Sequence, residues 1–558
     1  MKSPNQTTLN LIFLGVVVYM TLFFQLGRMA FVGADEPRYA RVAEEMKSGG
    51  DYIVPVLRGK AWLEKPPLYY WLAAASYRAF GVNEASARLP GALCSAAAVL
   101  LLFGLARKLW SEEVGFFAAL MLASSPLFFI FSRAASTDSL LAAFLNAGLL
   151  IYLAAFQQQS LWLFLASGAS FGLATLAKGP IALLLAAMSV LPTLVVFPSR
   201  KRILGSLTAL AALLIVAVPW FWQIVRRTGF AFLSVFVLNH NLARYFTTLH
   251  HHEHPFYYYL PVLGLGLFPW SLLAFFFAVQ FLRTGSLRSF SVERTAGQKS
   301  ATLIGTDSSR NIYSDGNIYS RRDPKLFFLA CWVLLPVLFF SASRSKLPAY
   351  ILPAAMPAVI LIALLLARLT EFEYRKTRRA AFGGLTAVSI PLGVLGFIAG
   401  ARLYGHPATV GGLGLLLAGG CVLAWRMSRR GLSAALVALA GTNVAMVVYL
   451  TLFLLPVVQD FHSTRSVLRQ ALRQLPASEQ LYQYRYFHQT VDYYSGGRAV
   501  MDPIRDLDEL RKELANHSPL WLVTDVKELP QLQAQSDFKV QTLASRGNVV
   551  VLKVTGTG

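Results

Sequence analysis

Residues 9–40 read LNLIFLGVVVYMTLFFQLGRMAFVGADEPRYA. The apolar run over 9–29 is long enough to cross a bilayer core of about 30 Å as one helix. Asp35-Glu36-Pro37-Arg38-Tyr39 follows it, and so many charges are costly inside hydrocarbon. The small residues at 32–34 imitate a signal-peptide cleavage site, but the apolar run is too long for a signal peptide. We therefore predict a spanning helix followed by a charged segment at the membrane surface.

The rest of the chain also has the composition of a membrane protein. Of its 558 residues, 55% are hydrophobic and 14% are charged, and the mean hydropathy is +0.51. Soluble globular chains of this length do not normally have such values. The net charge of +23 is scattered in short clusters between apolar runs, so no nucleic-acid partner is expected. Cys94, Cys331 and Cys421 all lie in apolar stretches, which argues against disulfides and redox chemistry.

Thirteen apolar stretches are candidate transmembrane helices by length. Basic clusters such as Arg107-Lys108 and Arg200-Lys201-Arg202 fall in loops on the side of the N-terminus, so the positive-inside rule makes that side cytoplasmic. We predict a mostly α, polytopic protein of the bacterial inner membrane. The predicted spans centre on 9–29, 89–107, 114–131, 138–156, 161–177, 180–197, 203–225, 257–282, 326–342, 348–369, 380–400, 408–425 and 432–455.

Three segments then face the periplasm, at 30–88, at 226–256 and after about 460. The loop 284–324 is rich in Ser, Thr, Gly and Asn and falls on the cytoplasmic side, which is typical of a disordered linker. Beyond the membrane domain 1–459, hydropathy drops and residues 460–558 are predicted to form a small soluble α/β domain. Its helix-like runs are 463–475 and 506–516, and its strand-like runs are 520–524 and 548–554.

The charged segment at Asp35 opens an amphipathic helix at the interface. Its apolar residues follow i, i+3, i+4, i+7 spacing, at Tyr39, Val42, Ala43 and Met46. Asp35 or Glu36 would suit the helix N-cap, which is the purely structural interpretation. The functional interpretation places an acidic group beside a reacting molecule at the membrane surface.

A second outward helix is predicted to start at Glu64-Lys65-Pro66-Pro67 and to reach about Phe80. A lysine at a helix N-terminus opposes the helix dipole, whereas a phosphate there would be held by the lysine and by free backbone N–H groups. Lys65 is therefore predicted to bind phosphate. The alternative is a lysine that reaches toward lipid head groups.

More ionisable residues lie at the outer ends of predicted spans, where an unpaired charge is costly and therefore indicates function. Asp138 begins the fourth span and Lys178 ends the fifth. The structural alternatives are a helix cap for Asp138 and a head-group contact for Lys178. Lys346 is a cation on the side that the positive-inside rule disfavours, which points to an anion, and the nearby Tyr350 could donate a hydrogen bond to it.

The outward segment 226–256 carries His240, Arg244 and a histidine-rich stretch at 250–254. The planar guanidinium of Arg244 suits phosphate oxygens. Four histidines around Glu253 suggest zinc, but consecutive histidines point in different directions and cannot all bind one ion. Arg244 is therefore the stronger candidate in this segment.

Taken in order, these motifs resemble the lipid A aminoarabinose transferases (ArnT) and their relatives among the GT-C membrane glycosyltransferases, which include protein O-mannosyltransferases. The resemblance covers essentially the whole membrane part. Its motifs are Asp35-Glu36-Pro37-Arg38-Tyr39-Ala40, Asp51-Tyr52-Ile53-Val54-Pro55, Glu64-Lys65-Pro66, Thr137-Asp138, Ala177-Lys178-Gly179, His240 with Arg244-Tyr245, Pro255-Phe256-Tyr257-Tyr258-Tyr259 and Lys346-Leu347-Pro348-Ala349-Tyr350.

The resemblance implies a GT-C bundle of about thirteen helices and transfer of a sugar from undecaprenyl phosphate with inversion. It also implies that Glu64 and His240 approach closely enough to trap a divalent ion, although no cofactor is expected to be required. The predicted site has a catalytic set (Asp35, Glu36, Asp138), a donor-phosphate set (Lys65, Arg244, Tyr350) and further substrate contacts (Arg38, Tyr39, Glu64, Lys178, Lys346).

The role of Asp35 depends on the acceptor. A hydroxyl acceptor would need Asp35 as general base, whereas a lipid A phosphate is already an anion, so Asp35 would instead orient the sugar through its 4-amino group. We expect the lipid A phosphate, and a monomer surrounded by membrane lipids. One alternative is a related GT-C enzyme that moves a hexose or another lipid-linked sugar to protein or glycan. A transporter is the distant alternative, since the charges cluster at one face without an inverted repeat.

Overall fold

The computed structural model describes residues 4–236, 254–284, 323–367, 375–404 and 407–557. Within these ranges the chain forms a helical bundle followed, after about residue 460, by a small domain with a four-stranded sheet. The predicted fold class, a mostly α membrane protein with a small C-terminal α/β domain, is confirmed. The loop 284–324 lies almost entirely outside the described residues.

Ten helices occupy the first half of the membrane part. They are α1 Pro4–Val18, α2 Asp35–Gly49, α3 Leu68–Phe80, α4 Glu84–Leu109, α5 Glu112–Ala123, α6 Pro126–Ser132, α7 Thr137–Gln158, α8 Leu161–Lys178, α9 Ile181–Val196 and α10 Arg200–Thr228. The later membrane helices are Tyr259–Gly266, Trp270–Thr284, Pro324–Ala342, Leu352–Ala367, Arg375–Tyr404, Pro407–Met427, Leu432–Tyr449 and Leu455–His462.

Among the described residues, 9 helices are long and apolar enough to cross a membrane, and the number rises to 11 if each of two bent helix pairs is one span. The number of thirteen predicted from the sequence is therefore not confirmed. One bent pair is α5 with α6, which meet at 61° where a single helix over 114–131 was predicted. The hydroxyls of Ser124 and Ser125 bond back to the carbonyls of Leu120 and Met121, and Pro126 cannot continue the helix.

The interfacial helix α2 agrees with its prediction, since Tyr39, Val42, Ala43 and Met46 are all buried. Gly50 ends it with φ of 72°, a conformation that favours glycine. The second helix, α3, begins at Leu68 and not at Glu64 as predicted. Two consecutive prolines precede Leu68, and a residue before proline is disfavoured in helical geometry, so Glu64 and Lys65 lie in the approach to the helix.

A short hairpin lies between these two helices. Strands β1 Val56–Leu57 and β2 Lys60–Ala61 pair antiparallel around a turn at Arg58 and Gly59, both with positive φ. The carboxylate of Glu45 on α2 accepts hydrogen bonds from both turn amides, at 2.8 and 3.2 Å. These two hydrogen bonds therefore hold the hairpin turn against α2.

The C-terminal domain contains strands β3 Leu481–Gln483, β4 Leu520–Asp525, β5 Phe538–Arg546 and β6 Val549–Gly556. Their order in the sheet is β3-β4-β6-β5, with β3 and β4 parallel and the other neighbours antiparallel. Apolar residues are buried on both faces of this sheet. The helices of the domain are Arg465–Ala471, Gln489–Tyr494, Leu507–Asn516 and Leu529–Gln533.

Candidate active site

The first residues of α2 combine an acidic and a basic side chain. Asp35 is the first helical residue and accepts a hydrogen bond from Arg38, one turn later. The N-cap position is Ala34, with no side-chain cap, so the capping interpretation of Asp35 is wrong. The Asp35 side chain remains 56% exposed, which leaves it accessible to a bound molecule.

The Glu36 side chain, unlike that of Asp35, is mostly buried and joins α2 to α4. Both of its carboxylate oxygens accept from the Arg88 guanidinium, at 2.8 and 2.9 Å, and one also accepts from the Ala135 amide at 2.9 Å. The exposed fractions of the two side chains are only 4% for Arg88 and 12% for Glu36. These hydrogen bonds engage both carboxylate oxygens, so Glu36 holds the start of α2 in place, and its catalytic role stays a prediction.

Arg38 and Tyr39 lie among aromatic side chains. The Arg38 guanidinium is 5.1 Å from the Trp62 ring centre, and the Trp62 indole donates to the Tyr70 hydroxyl at 2.9 Å. Burial alone would lower the pKa of Arg38. Nearby groups, of which Asp35 has the largest effect, raise the pKa by more than burial lowers it, so Arg38 remains a cation. Burial and the charge of Asp35 raise the pKa of Tyr39 well above its usual value, so its phenol stays neutral.

Glu64 and Lys65 enter the same site from the approach to α3. Glu64 lies close enough to Arg38 to interact with its charge. The Lys65 side chain is buried, with 9% exposed, and is electrostatically coupled to Asp138. The predicted helix N-terminus is thus displaced by four residues, but Lys65 does lie near Asp138.

Asp138, Lys178 and Tyr350 form the opposite side of the site. Lys178 at the end of α8 makes an ion pair with Asp138 at the start of α7. The Lys178 ammonium also lies 5.0 Å from the Tyr350 ring centre. The N-cap of α7 is Ser136, so the capping interpretation of Asp138 is wrong as well. Ion pairing therefore accounts for Asp138 and Lys178 better than capping or head-group contact does.

Lys346 approaches from the loop before the Pro348–Ile351 turn that carries Tyr350. Its side chain is buried, and its ammonium donates to the Ser343 carbonyl. The hydroxyl of Tyr259 donates to the Leu347 carbonyl at 3.2 Å, which fixes the same loop. The loop thus holds a second buried cation near Tyr350.

Two predicted residues, His240 and Arg244, lie outside the described residues, so their placement stays a prediction. Glu64 is described, but no group of three or more His, Cys, Asp or Glu side chains suited to a metal occurs in the described ranges. The prediction that Glu64 and His240 trap a divalent ion is therefore untested.

Sequence reasoning missed Arg88, Trp62 and Tyr70. Arg88 had a usable signal, because a lone arginine near the start of an apolar helix needs a partner. Trp62 and Tyr70 had none, since aromatic residues at membrane surfaces usually belong to an aromatic belt. Asp51, part of a motif noted above, anchors its own loop by accepting from the Ile53 and Val54 amides.

The C-terminal domain contacts the segments around this site. Asp492, with 3% of its side chain exposed, pairs at 3.1 Å with Arg58 in the hairpin turn. The Tyr494 hydroxyl donates to Glu84 at 3.0 Å and accepts from the Phe31 amide at 2.7 Å. Gly497 has φ of 84°, a conformation that favours glycine, and a Cβ there would lie 2.4 Å from the Arg41 guanidinium.

Comparison with known proteins points in one direction. A family model described as dolichyl-phosphate-mannose-protein mannosyltransferase matches residues 64–222, which include Lys65, Asp138 and Lys178. The undecaprenyl phosphate-alpha-4-amino-4-deoxy-L-arabinose arabinosyl transferase of Pectobacterium atrosepticum is 30% identical over 399 residues, covering 69% of this chain and 65% of the relative. The similarly named Pseudomonas aeruginosa protein is 31% identical over 337 residues, covering 59% and 54%. The match thus spans somewhat less than two thirds of each relative.

Solved structures show the same fold over nearly the full chain. ArnT from Cupriavidus metallidurans bound to undecaprenyl phosphate superposes with a TM-score of 0.74 and 21% identity, covering 99% of this chain and 98% of that one. The Archaeoglobus fulgidus oligosaccharyltransferase AglB is more distant, with a TM-score of 0.50 and 14% identity, covering 94% and 70%. The chain is therefore similar in sequence to the curated arabinosyl transferases, and it has the fold of the solved ArnT structures.

Proposed function

We propose that this protein transfers 4-amino-4-deoxy-L-arabinose from undecaprenyl phosphate to a phosphate of lipid A, at the periplasmic face of the bacterial inner membrane. The observation that carries the proposal is that two charged groups lie close together. One contains Asp138 with Lys65, Lys178 and Tyr350, the other is the Asp35–Arg38 pair, and both Asp138 and Asp35 are close enough to Tyr39 to act on its charge. The names of the curated relatives supply the donor and the sugar.

The reaction is a displacement at the anomeric carbon. The bond from that carbon to the carrier phosphate oxygen breaks while an oxygen of the acceptor phosphate forms the new bond, so the configuration inverts. Negative charge grows on the departing carrier phosphate, and cations held in place stabilise it most effectively. Lys65 suits this role because it is buried, and Arg244 and Tyr350 are proposed to complete the phosphate site.

Asp35 is proposed to orient the sugar. A phosphate acceptor is already an anion, so no general base is needed. The Asp35 carboxylate is accessible and is held by Arg38. Asp35 and Glu64 together bring two negative charges beside the single positive charge of Arg38, so negative charge is in excess. A positively charged 4-amino group on the sugar would pair with these carboxylates, and a neutral hexose would not.

We propose that the reaction requires no metal, since lysine and arginine side chains supply the positive charge at the carrier phosphate. Glu64 and His240 are the residues that would hold a divalent ion if one takes part. An assay of the purified protein after dialysis against EDTA tests the point. An unchanged rate supports the proposal, and a loss that Mg²⁺, Mn²⁺ or Zn²⁺ restores contradicts it.

The deciding experiment is mass spectrometry of lipid A from a strain that lacks its own transferase but makes the aminoarabinose carrier. Expression of this chain should add one aminopentose to a lipid A phosphate. The matched control is the Lys65→Ala variant, inserted to the same level, which should add none. Unmodified lipid A with the wild-type protein inserted and stable would overturn the proposal.

A second candidate is a related transferase that moves another lipid-linked sugar to protein or glycan. It is favoured by the mannosyltransferase family model that matches residues 64–222. Purified protein supplied with lipid-linked mannose and with lipid-linked aminoarabinose separates the two candidates. We propose a monomer in either case, and light scattering of the detergent-solubilised protein tests this.

A further inference from the structure

A second basic site lies away from the candidate active site, at the junction between the C-terminal domain and the membrane part. It is a cavity of about 420 Å³ lined by Arg465, Arg469, Leu472, Arg473 and Tyr494. Its size falls in the range of small-molecule pockets. None of these residues belongs to the predicted site.

The contacts of Arg465 place this cavity at the membrane boundary. Its guanidinium donates to the carbonyl of Arg28, just after the first helix, and to the side chain of Gln459, where the last apolar span ends. It also pairs with Glu84 at the start of α4, at 2.9 Å. The ends of three apolar segments therefore lie beside the cavity, at the boundary of the membrane part.

The lining carries positive charge that no carboxylate among the described residues balances fully. Glu84 neutralises Arg465 and also accepts from the Tyr494 hydroxyl. Arg469 and Arg473 are exposed, and in the described ranges neither forms an ion pair with a carboxylate. Each follows the previous arginine by four residues, along the helix Arg465–Ala471 and the turn after it, so the guanidinium groups share one face.

Two unbalanced arginines at this position call for an anion. The end of the bundle that carries them is opposite to Arg107-Lys108 at the end of α4, so they violate the bias that places basic residues on one side of a membrane. Guanidinium groups bind phosphate oxygens through paired hydrogen bonds. Leu472 adds an apolar wall, as a phosphate attached to a lipid would need.

We propose that this cavity binds the phosphate group of a membrane lipid. Two lipids carry that chemistry here, the phosphorylated acceptor and the anionic phospholipids. Glu84 and Arg88 lie one turn apart on α4, and Arg88 holds Glu36 beside Asp35, so a lipid in the cavity lies on a helix that also positions the candidate active site. Binding of a lipid phosphate in this cavity does not depend on the proposed transfer reaction. Only the identification of that lipid as the acceptor depends on it.

Native mass spectrometry of the full-length protein in detergent tests the proposal. The probes are bis-phosphorylated lipid A, phosphatidylglycerol, and uncharged diacylglycerol as a blank. The R469A/R473A variant should bind at least one of the two phosphate lipids about thirtyfold more weakly, the equivalent of about 2 kcal/mol for two basic residues. The matched control K512A/K539A removes two exposed cations from the same domain and should bind like the wild type.

The two phosphate lipids distinguish the sources. Weaker binding of lipid A alone assigns the cavity to the acceptor, and weaker binding of both lipids assigns it to lipid phosphate in general. The R469K/R473K variant keeps both charges and should retain most of the affinity, which separates loss of charge from loss of folding. Unchanged binding of both lipids in R469A/R473A, or an equal loss in K512A/K539A, would overturn the proposal.

Discussion

The Glu36 carboxylate and the Arg88 guanidinium are joined by two hydrogen bonds of 2.8 and 2.9 Å, and this pair fixes the start of α2 against α4. Arg88 also donates to the carbonyls of Leu26, Met29 and Ala30 at the end of the first membrane segment. One arginine thus holds the interfacial helix and the chain that leads into it.

Removing Arg88 should destabilise the protein severely. Arg88→Ala leaves the Glu36 carboxylate buried without its partner, and breaking a buried pair in this way costs about 3–5 kcal/mol. Thermal unfolding in detergent measures the loss. The double variant Glu36→Leu with Arg88→Met removes both charges and should recover much of it. Unfolding of Arg88→Ala at the wild-type temperature would show that the pair does not support the fold.

Lys65→Ala should abolish transfer without unfolding the protein. Loss of a cation at the departing phosphate is expected to lower kcat by about a hundredfold or more. The matched control is Lys60→Ala, which removes an exposed lysine five residues earlier in β2 and should leave the rate unchanged. Transfer at the wild-type rate by Lys65→Ala would remove Lys65 from the phosphate site.

Asp35→Asn tests the orienting role at the sugar. The substitution keeps the shape of the side chain but removes the charge, so transfer of aminoarabinose should fall by about a hundredfold or more. Because Asp35 is 56% exposed, the unfolding temperature should change little. Steady-state kinetics makes the measurement. The control is Asp502→Asn, which changes an exposed carboxylate of the C-terminal domain. If Asp35→Asn keeps the wild-type kcat and KM, the carboxylate has no part in the reaction.

The docking of the C-terminal domain should weaken in acid. His488 caps the helix Gln489–Tyr494 by accepting from the Thr490 amide at its Nδ1 atom, which requires the neutral ring. Burial, assisted by the nearby His462, lowers the pKa of His488. The unfolded chain therefore takes up this proton first, so stability is full above about pH 6.5 and falls as the pH drops below it.

Unfolding temperatures measured from pH 8 to pH 5 test this dependence. His488→Asn supplies a cap that does not titrate, so its unfolding temperature should fall less steeply with acid. His517→Asn is the control, because His517 is 61% exposed and directly follows a different helix of the same domain, Leu507–Asn516. Equal slopes for His488→Asn and the wild type would mean that His488 does not cause the effect.

The sequence predicts well whatever is local. The apolar face of α2 follows from residue spacing, and most spans follow from the length of apolar runs. The bend between α5 and α6 was missed because Ser124 and Ser125 look like ordinary small residues until their hydroxyls are seen to bond backward. A run of apolar residues predicts a helix but does not show where the helix bends.

The site residues also divide into those that the sequence predicts and those that only the structure reveals. Lys65 and Lys178 were found because isolated charges beside apolar runs are conspicuous. The separate roles of Asp35 and Glu36 were not, since adjacent carboxylates read alike in a sequence. Arg88 lies 52 residues from Glu36 in the sequence. Only the structure shows that Arg88 binds the Glu36 carboxylate and not the carboxylate of Asp35.

The contacts of Phe31 and Glu84 have a consequence for biogenesis. Both residues are made among the first hundred, yet the Tyr494 hydroxyl and the Arg465 guanidinium that satisfy them come from the last hundred. During synthesis these polar groups therefore stay without their partners until the C-terminal domain has been made and has folded against the first loop. Nascent chains that stall before residue 465 should have a first loop that is open to proteases.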